Sequence, residues 1–470
     1  MPIKIALPKG RLLRETAALL DRADWGLSDY NQKAGFYRLE SQKFPHLFAK
    51  VFHEKDIPIQ VAVGNYDLGI CGLDWVEELL VKYLSSAVVK IKNLGYGNST
   101  LYMAASGLSG TSTIEELQAK PSMVRIASEY PNLAESFAVE FRLRQFGFFP
   151  LWGAAEVYPP ESADLALISV GAEGKLWDYG LVPVSKILDS SACLIANASS
   201  WLAKDLSEIV ASIESGLLGS EESSSRPSIV KIKDLPEREE PIEVDSDTVW
   251  LALPDGHQQT PVLRLLSRAG IQIDDKITNR RPNIGLAGVM AKMIRPQDMP
   301  LQVANGNFTL AITGHDWLTE HLCQFPSSPV KKFLDLKFGK VKLVAVVSKD
   351  ILVNGAQGLR QLSAERVAPL RVASEYVNIA DKYARDNHLG PYRVIPTWGA
   401  SEGFIPEDAD LLIENTQTGR TIARHNLKII DTLFESTACL IGSADCDFDS
   451  NKGKRVQSII KMLKAGLEDV

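Results

Sequence analysis

Residues 409–422 carry the residue types that bind a sugar phosphate. They read ADLLIENTQTGRTI, in which a predicted strand over residues 411–413 passes into a polar loop and a helix begins near Thr421. Loop N–H groups and a helix N-terminus can converge on an anion, and threonine hydroxyls add donors. Glu414, at the carboxyl end of the strand, is placed to accept hydrogen bonds from vicinal hydroxyls such as those of a ribose. An ordinary strand–helix turn capped by a threonine fits the same spacing, so both interpretations stay open.

A second candidate anion site lies at residues 7–12, which read LPKGRL and again join a predicted strand to a predicted helix. Lys9 and Arg11 would face one edge of a cleft there and could bind a polyanion. A solvated turn with two incidental cations explains these residues equally well. Residues 253–258, later in the chain, read LPDGHQ and lack both cations.

Arg295 is the third candidate, because a guanidinium binds phosphate through two parallel hydrogen bonds that lysine and histidine do not reproduce. It opens the stretch RPQDMP, whereas residues 53–58 read HEKDIP. The seven histidines show no metal-ligand spacing, and neither a Walker lysine nor a Gly-x-Ser-x-Gly elbow is present. Arg295, together with residues 7–12 and 409–422, therefore predicts phosphate binding.

The sequence segments that would position these residues occur twice in the chain. Residues 152–156 (WGAAE) recur as 398–402 (WGASE), and residues 125–130 (RIASEY) recur as 371–376 (RVASEY), each 246 positions later. Further ordered matches are 160–165 with 406–411, 191–195 with 437–441 and, at a spacing of 242, 56–58 with 298–300. The chain is therefore predicted to be a tandem duplication of a unit of roughly 220 residues.

The predicted boundaries are repeat 1 over residues 1–218, a linker over 219–246 and repeat 2 over 247–470. The linker is polar, charged and proline-rich, which is typical of an exposed tether that favours pairing of the repeats. Short apolar runs such as residues 3–7 and 249–253 alternate with amphipathic stretches, with one helix of repeat 2 predicted to begin at Thr260 and Pro261. This alternation predicts α/β layers with largely parallel sheets, arranged as two small lobes per repeat.

Composition excludes several classes of protein. The formal net charge of −7 argues against a nucleic-acid binder, and no apolar run of about 18 residues predicts a membrane span. The five cysteines form no CxxC pair and the N-terminus has no secretory apolar region, so we expect a reduced, cytoplasmic protein. Cys193 and Cys439 are predicted core residues. Trp152 and Trp398, at equivalent positions, are predicted to pack rather than to stack on a ligand.

Together these motifs resemble the short form of the ATP phosphoribosyltransferase family. The family pattern is PKGRL, then RxxD[IV]P, GxxD[IL]G[IF]xG, RIATx[YF]P and GxxExAP, and finally an acidic strand followed by TGxT. Repeat 1 supplies residues 8–12, 64–72 and 125–131, and repeat 2 supplies 295–300 and 410–421. The resemblance covers nearly the whole chain apart from the linker.

The resemblance implies an α/β fold in which two tandem copies of a bilobal unit, similar to type II periplasmic binding proteins, form an intrachain pseudo-dimer. It implies transfer of 5-phosphoribosyl from phosphoribosyl pyrophosphate to the N1 atom of ATP, with release of pyrophosphate, as the first step of histidine biosynthesis. Mg²⁺ is the implied cofactor. A regulatory subunit resembling histidyl-tRNA synthetase is an implied partner, unless repeat 1 has taken that role, and a higher homo-oligomer is compatible with the family.

Site residues follow from the resemblance by position. Glu414 would bind the ribose hydroxyls where the family has aspartate, and Arg295 would bind the departing pyrophosphate, with Mg²⁺ sharing its charge. The remaining phosphoribosyl-pyrophosphate-binding positions are Asn415, Thr418, Gly419, Arg420 and Thr421. Neither repeat is complete, because residues 168–175 of repeat 1 (ISVGAEGK) have lost the phosphate loop and repeat 2 has lost both cations of the first motif.

These departures lead to the hypothesis of one working site on repeat 2. Repeat 1 would contribute to it with Lys9 and Arg11, and Arg38 is a weaker candidate for an arginine that reaches across the interface. Two other interpretations remain. The chain could be a non-catalytic protein that binds small anions, since this fold also closes on solutes. It could also be a regulatory paralogue that pairs with an intact transferase.

Overall fold

A computed structural model of the chain describes residues 2–27, 29–31, 37–83, 87–109, 113–171, 176–217, 245–274 and 280–468. Most of the predicted linker, residues 219–244, lies outside these ranges, as do residues 172–175 of the repeat 1 loop. The described chain forms two compact units. Unit 1 comprises Met1–Phe149, Leu165–Glu239 and Thr397–Phe404, and unit 2 comprises Pro150–Asp164, Glu240–Pro396 and Ile405–Val470.

Repeat 1 alternates strands and helices as its sequence predicts. Its described strands are β1 (Ile3–Lys9), β2 (Arg38–Glu40), β3 (Leu47–His53), β4 (Leu68–Gly72), β5 (Val88–Asn93), β6 (Ser99–Ser106), β7 (Val124–Ser128), β8 (Phe146–Pro150), β9 (Leu165–Gly171), β10 (Leu181–Ser190) and β11 (Ala192–Asn197). Its described helices are α1 (Leu13–Arg22), α2 (Asp56–Ala62), α3 (Leu73–Lys82), α4 (Ile114–Ala119), α5 (Pro131–Glu140), α6 (Ala198–Ala203) and α7 (Ser207–Leu217).

Repeat 2 follows nearly the same order. Its described strands are β12 (Val249–Pro254), β13 (Val289–Ile294), β14 (Leu310–Gly314), β15 (Val330–Asp335), β16 (Val341–Ser348), β17 (Leu370–Ser374), β18 (Tyr392–Pro396), β19 (Leu411–Thr416), β20 (Leu427–Ser436) and β21 (Ala438–Ser443). Its described helices are α8 (Gln259–Arg268), α9 (Met299–Ala304), α10 (His315–Gln324), α11 (Gly355–Ala364), α12 (Val377–Asp386), α13 (Arg420–Arg424) and α14 (Asn451–Glu468).

Each repeat builds two sheets, which define a lobe A and a lobe B. Lobe A has the strand order β2-β3-β1-β4-β11-β5 in repeat 1 and β13-β12-β14-β21-β15 in repeat 2. Lobe B has the order β10-β6-β9-β7-β8 in repeat 1 and β18-β17-β19-β16-β20 in repeat 2. This confirms the predicted fold class, an α/β protein made of two tandem copies of a bilobal unit.

The sheets are mixed rather than largely parallel. In lobe A of repeat 1, β1 pairs in parallel with β3 and β4, but β11 runs antiparallel to β4 and β5. The antiparallel strands arise where the chain returns from one lobe to the other, because β10 in lobe B continues into β11 in lobe A through Ser191 alone. In repeat 2 the same return runs from β20 to β21 through Thr437.

Helix α1 shows how the sequence selects these elements. Its buried positions Leu13, Thr16, Leu19 and Leu20 lie at helical spacing, so one face points to the core. That face packs on Ile5 and Leu7 of β1 in the lobe A core. Each leucine fully buried in this way contributes about 1.5–3 kcal/mol. The predicted strand and helix are thus both present, within two residues of their expected ends.

A short segment of each repeat belongs to the compact unit built mainly by the other repeat. Residues Pro150–Asp164, which include the first WGxxE motif, lie in unit 2, and Thr397–Phe404, with the second motif, lie in unit 1. In unit 1 the ring of Phe404 packs edge-on against Phe52 at 5.1 Å. The repeats therefore exchange the segments that carry the WGxxE motif. Residues 150–164 are called the exchanged segment of repeat 1.

Cys193 and Cys439 are buried, and all five cysteines are free thiols, as the spacing predicts. Within the described residues, helices that combine the length and the apolar character needed to cross a bilayer are absent.

Candidate functional site

The predicted phosphate loop begins later than its sequence suggests. Strand β19 continues to Thr416 because Glu414, Asn415 and Thr416 pair with β16. Glu414 and Asn415 therefore sit on a rigid strand, and only residues 417–419 form the turn before α13.

The turn is closed by its own threonines and by a glycine. The Thr416 hydroxyl accepts a hydrogen bond from the Gly419 amide at 3.0 Å, and the Thr418 hydroxyl accepts one from the Arg420 amide at 3.4 Å. Gly419 has φ of +69°, in the left-handed region that favours glycine. Thr418, Arg420 and Thr421 are exposed, while Glu414 and Asn415 are half-buried. The helix N-cap is therefore Gly419 rather than a threonine, and phosphate binding by the exposed side chains stays a prediction.

Asn415 connects this strand to the junction between the lobes. Its side-chain amide donates to the Tyr376 hydroxyl at 2.8 Å, and that hydroxyl donates to Asp316 at 2.6 Å. Asp316 also accepts from the hydroxyl of Ser436, the last residue of β20 before the chain returns to lobe A. Burial, together with the Asp316 carboxylate, raises the pKa of Tyr376 well above its ordinary value, so the hydroxyl keeps its proton.

Arg295 lies beside a second arginine that the sequence did not single out. The Asp255 Oδ2 atom accepts from Arg280 Nη1 at 2.7 Å and from Arg295 Nη1 at 3.1 Å. The three residues surround the ends of β12 and β13, and a cavity of about 290 Å³ opens there, lined by Asp255, Gly256, Gln259, Arg280 and Met293. Asp255 occupies the position of Lys9 in repeat 1. Repeat 2 therefore has, in place of that cation, a carboxylate that orients two guanidiniums.

The exchanged segment of repeat 1 completes the surroundings of Arg295. Glu156 accepts from Arg280 Nε at 3.0 Å, and the Trp152 amide donates to both carboxylate oxygens of Asp298 at 3.1 Å. A Cβ atom on Gly153 would stand 2.8 Å from Arg295 Nε, so the glycine lets the Arg295 side chain lie directly against this backbone. Glu156 and Arg280 were missed as site residues, although the recurrence of WGxxE was the available signal.

Arg281 anchors the same segment more deeply. Its guanidinium pairs with both carboxylate oxygens of Glu161, at 2.8 and 3.0 Å, and donates to the carbonyls of Val157 and Pro159. Glu161 also accepts from Lys292, whose side chain is fully buried in β13. Burial alone would raise the pKa of Glu161, but Arg281 and Lys292 lower it to about 2.

Arg38 is the repeat 1 counterpart of Arg281. The Val51 amide donates to the Tyr37 carbonyl, and at the equivalent position the Met293 amide donates to the Arg280 carbonyl. Because Tyr37 and Arg280 thus correspond, so do the residues that follow them, Arg38 and Arg281. Arg38 lies on β2 with its guanidinium 5.1 Å from the centre of the Phe48 ring. The prediction that Arg38 reaches a substrate across an interface stays a prediction, but its counterpart binds protein carbonyls and a carboxylate.

In repeat 1, Arg11 is already occupied by protein groups. Its guanidinium donates to Glu54 at 3.0 Å, to Asp74 at 2.8 Å and to the Ser99 hydroxyl at 3.2 Å. Burial would lower the pKa of Arg11, but the neighbouring carboxylates of Asp74 and Glu54 raise it above its ordinary value. Its role in polyanion binding is untested, and two carboxylates now balance its charge.

Lys9 and His53 complete the repeat 1 counterpart of the arginine cluster. The Lys9 ammonium lies 5.2 Å from the centre of the Tyr37 ring, where repeat 2 has the Asp255–Arg280 ion pair. His53 occupies the position of Arg295, and burial, aided by Lys55 and Lys9, lowers its pKa to about 4. It is therefore neutral at pH 7. Of the predicted site residues, the structure places Glu414–Thr421 along one strand, its turn and the start of α13, and Arg295 beside Asp255.

One protein family matches the chain at two segments, one in each repeat. The family model of ATP phosphoribosyltransferase matches residues 53–215 and again residues 295–465. The ATP phosphoribosyltransferase of Saccharolobus solfataricus is 31% identical over 223 residues, which is 46% of this chain and 71% of that protein. The enzyme of that name from Sulfolobus acidocaldarius is 30% identical over 223 residues, 46% of this chain and 72% of that protein.

Among solved structures, the ATP phosphoribosyl transferase (HisG:HisZ) complex from Thermotoga maritima shares 20% identity, with a TM-score of 0.40, over 47% of this chain and 100% of that chain. The two family matches together span well over half of the chain, one in each repeat, as the duplication predicts. The chain belongs to the ATP phosphoribosyltransferase family.

Proposed function

We propose that the chain transfers 5-phosphoribosyl from phosphoribosyl pyrophosphate to the N1 atom of ATP, as a glycosyltransferase of histidine biosynthesis, with its working site in repeat 2. Within the described residues, repeat 2 combines the half-buried Glu414, exposed side chains on the turn and the start of α13, and an arginine at position 295. That combination is the observation that carries the proposal. The corresponding position 53 in repeat 1 holds a histidine that is neutral at pH 7.

The reaction needs charge stabilisation more than proton transfer. The N1 lone pair of ATP forms a bond to C1 of the ribose while the C1–oxygen bond breaks and its electron pair leaves on pyrophosphate. Arg295 and Arg280, held by Asp255 at 3.1 and 2.7 Å, would stabilise the negative charge that develops on the leaving group. Glu414 would accept hydrogen bonds from the ribose hydroxyls and favour the positive charge at C1.

The turn would bind the 5-phosphate. Thr418, Arg420 and Thr421 are exposed and carry hydroxyl and guanidinium donors, and Gly419 keeps the backbone accessible. Because Glu414 and Asn415 lie on β19, the sugar and its phosphate would be positioned by a strand rather than by a loop.

Mg²⁺ is proposed to enter with the polyphosphate substrates. Groups of three carboxylate, histidine or cysteine side chains that could hold a metal do not occur within the described ranges. Mg²⁺ usually keeps several waters and binds through substrate phosphates with one or two carboxylates, so this site fits a metal that arrives on the substrate.

The first test is pyrophosphate release by the purified chain with ATP, phosphoribosyl pyrophosphate and Mg²⁺. Release that requires all three components supports the proposal, and intact turnover in Arg420→Ala or Glu414→Ala would contradict the assignment of the site. If the chain alone releases nothing, the same mixture with a histidyl-tRNA-synthetase-like subunit tests whether a partner is required. Failure of both leaves a regulatory paralogue as the function to test.

A further inference from the structure

Trp152 is a residue of repeat 1 that packs inside lobe B of repeat 2. It lies against the hydrophobic cluster that contains Trp317, Tyr376 and Ile413. Its ring meets the ring of Trp317 at a centroid distance of 5.6 Å and an angle of 61°. Its amide is fixed by Asp298 through two hydrogen bonds of 3.1 Å, so the side chain enters from a firmly held backbone.

The contact continues from Trp317 to the strand that carries the phosphate turn. Trp317 stacks on Tyr376 at 4.3 Å and 27°. Tyr376 is completely buried, and its hydroxyl joins Asp316 at 2.6 Å to Asn415 at 2.8 Å. A residue that fixes the Trp317 ring therefore also fixes the hydroxyl that holds Asn415, one residue after Glu414.

Repeat 1 has the same aromatic pair without the last connection. Trp75 stacks on Tyr130 at 4.2 Å, and Tyr130 donates to Asp74 at 2.9 Å. The position of Asn415, however, is occupied by Ser169, whose hydroxyl pairs with Ser99 at 3.0 Å. The hydrogen bond from the aromatic pair to the strand before the phosphate turn is thus specific to repeat 2.

We propose that Trp152 is a positioning residue for the phosphoribosyl pyrophosphate site of repeat 2. The inference rests on the proposed function for the identity of the ligand, but the contacts that carry it do not depend on the reaction. Trp152 acts through Trp317 and Tyr376 to keep Asn415, and with it the end of β19, in the geometry that receives the sugar phosphate. Repeat 1 thereby supports the site of repeat 2 with an apolar side chain rather than with a cation.

The direct test compares Trp152→Ala with the matched variant Trp398→Ala in the full chain. We expect Trp152→Ala to raise KM for phosphoribosyl pyrophosphate about tenfold while kcat changes by less than about threefold, because binding geometry rather than a reacting group is altered. Trp152→Phe, which retains a ring, should recover most of the affinity, and Trp398→Ala should match the wild type. Equal KM values in Trp152→Ala and Trp398→Ala would overturn the proposal.

A double-mutant cycle tests the route of the effect. Asn415→Ser installs the residue that repeat 1 has at this position, and it removes the amide that reaches Tyr376. In that background Trp152→Ala should add almost nothing to KM, because the connection is already broken. Independent, multiplying effects of the two substitutions would show that Trp152 does not act through Asn415.

Amide hydrogen exchange separates this inference from the proposed function. In ligand-free protein, the peptide spanning residues 411–421 should exchange faster in Trp152→Ala than in the wild type or Trp398→Ala. A wild type without turnover would refute the proposed function and leave this measurement intact. Unchanged exchange in Trp152→Ala would refute the positioning role even if the wild type is an active transferase.

Discussion

The two repeats share their lobe junction and differ in the groups around it. In repeat 1, the Asp74 carboxylate accepts a hydrogen bond from the Tyr130 hydroxyl, and the Asp74 amide donates one to the Ser190 hydroxyl. Repeat 2 repeats these contacts with Asp316, Tyr376 and Ser436. A glutamate on the helix that contains this aspartate accepts from the first turn of α5 in repeat 1 (Glu78) and of α12 in repeat 2 (Glu320). The framework that orients the lobes is therefore retained in both copies.

The two repeats differ in the charges that follow their first strands, β1 and β12. Repeat 1 places Arg11 between two carboxylates and has a neutral histidine at position 53. Repeat 2 uses a carboxylate, Asp255, to hold Arg280 and Arg295, and Arg280 lines a cavity beside it. One arginine is thus shared by two carboxylates in repeat 1, whereas one carboxylate is shared by two arginines in repeat 2.

The largest expected effect concerns the exchanged segment. Glu161→Ala removes the carboxylate that neutralises the fully buried Lys292, so we expect a loss of about 3–5 kcal/mol in the free energy of unfolding. Denaturant titration at pH 7 measures it, with Glu435→Ala, which breaks the exposed pair with Lys340, as a control expected to lose far less because an exposed ion pair contributes little. Similar losses in both variants would mean that the exchanged segment is not an anchor.

The ion pairs of Glu161 also predict how the free energy of unfolding changes with pH. The pKa of Glu161 is lowered to about 2, so its stabilisation is fully present above the unfolded value near 4.5 and is lost as the pH falls towards 2. The stability difference between the wild type and Glu161→Gln should therefore shrink on acidification across this window. A difference that grows instead would contradict the ion pair.

The next effect sharpens the contrast between Arg295 and His53. Arg295→Ala should lower kcat/KM about 100-fold, since it removes a charged donor to the leaving group. The matched variant His53→Ala should leave kcat/KM within about twofold, because the neutral imidazole offers no charge at pH 7. Steady-state pyrophosphate release decides between them, and comparable losses at both positions would place a working site in each repeat.

Arg11 tests whether repeat 1 has become structural. Arg11→Lys cannot reproduce the hydrogen bonds to Glu54, Asp74 and Ser99, so we expect a loss of about 2 kcal/mol in unfolding free energy. His257→Lys, at the sequence-equivalent position of repeat 2, should change stability by less than about 0.5 kcal/mol. A large loss of turnover in Arg11→Lys without a loss of stability would instead support the predicted contact with substrate.

The sequence predicted the duplication and the bilobal α/β fold because ordered motif matches and apolar periodicity are local signals. It also predicted the order strand, polar turn and helix over residues 411–421, but the strand was expected to end at Ile413 and ends at Thr416. The extension to Thr416 depends on pairing with β16, about 70 residues earlier, which periodicity does not report. The start of α8 at Gln259, before the predicted Thr260, reflects the preceding 3-10 turn at Gly256–Gln258.

What the sequence could not show is which charges neutralise one another. Asp255 was interpreted as a lost lysine, whereas the structure makes it the partner of Arg280 and Arg295. Arg11 was predicted to face a cleft edge, but Glu54 and Asp74, distant in sequence, accept hydrogen bonds from its guanidinium. Such pairs depend on tertiary proximity, and a single sequence records residue types without distances.

The smallest expected effect concerns the protonation of His53. Burial lowers its pKa to about 4, below the unfolded value near 6.5, so the unfolded chain binds more protons between these values. Its contribution to stability is therefore present above pH 6.5 and is lost as the pH falls towards 4. His53→Gln should remove this part of the acid sensitivity, measured by denaturant titration at pH 7 and pH 4.5. If the wild type and His53→Gln lose equal stability over this range, His53 is not held neutral, and the charge difference between positions 53 and 295 must be abandoned.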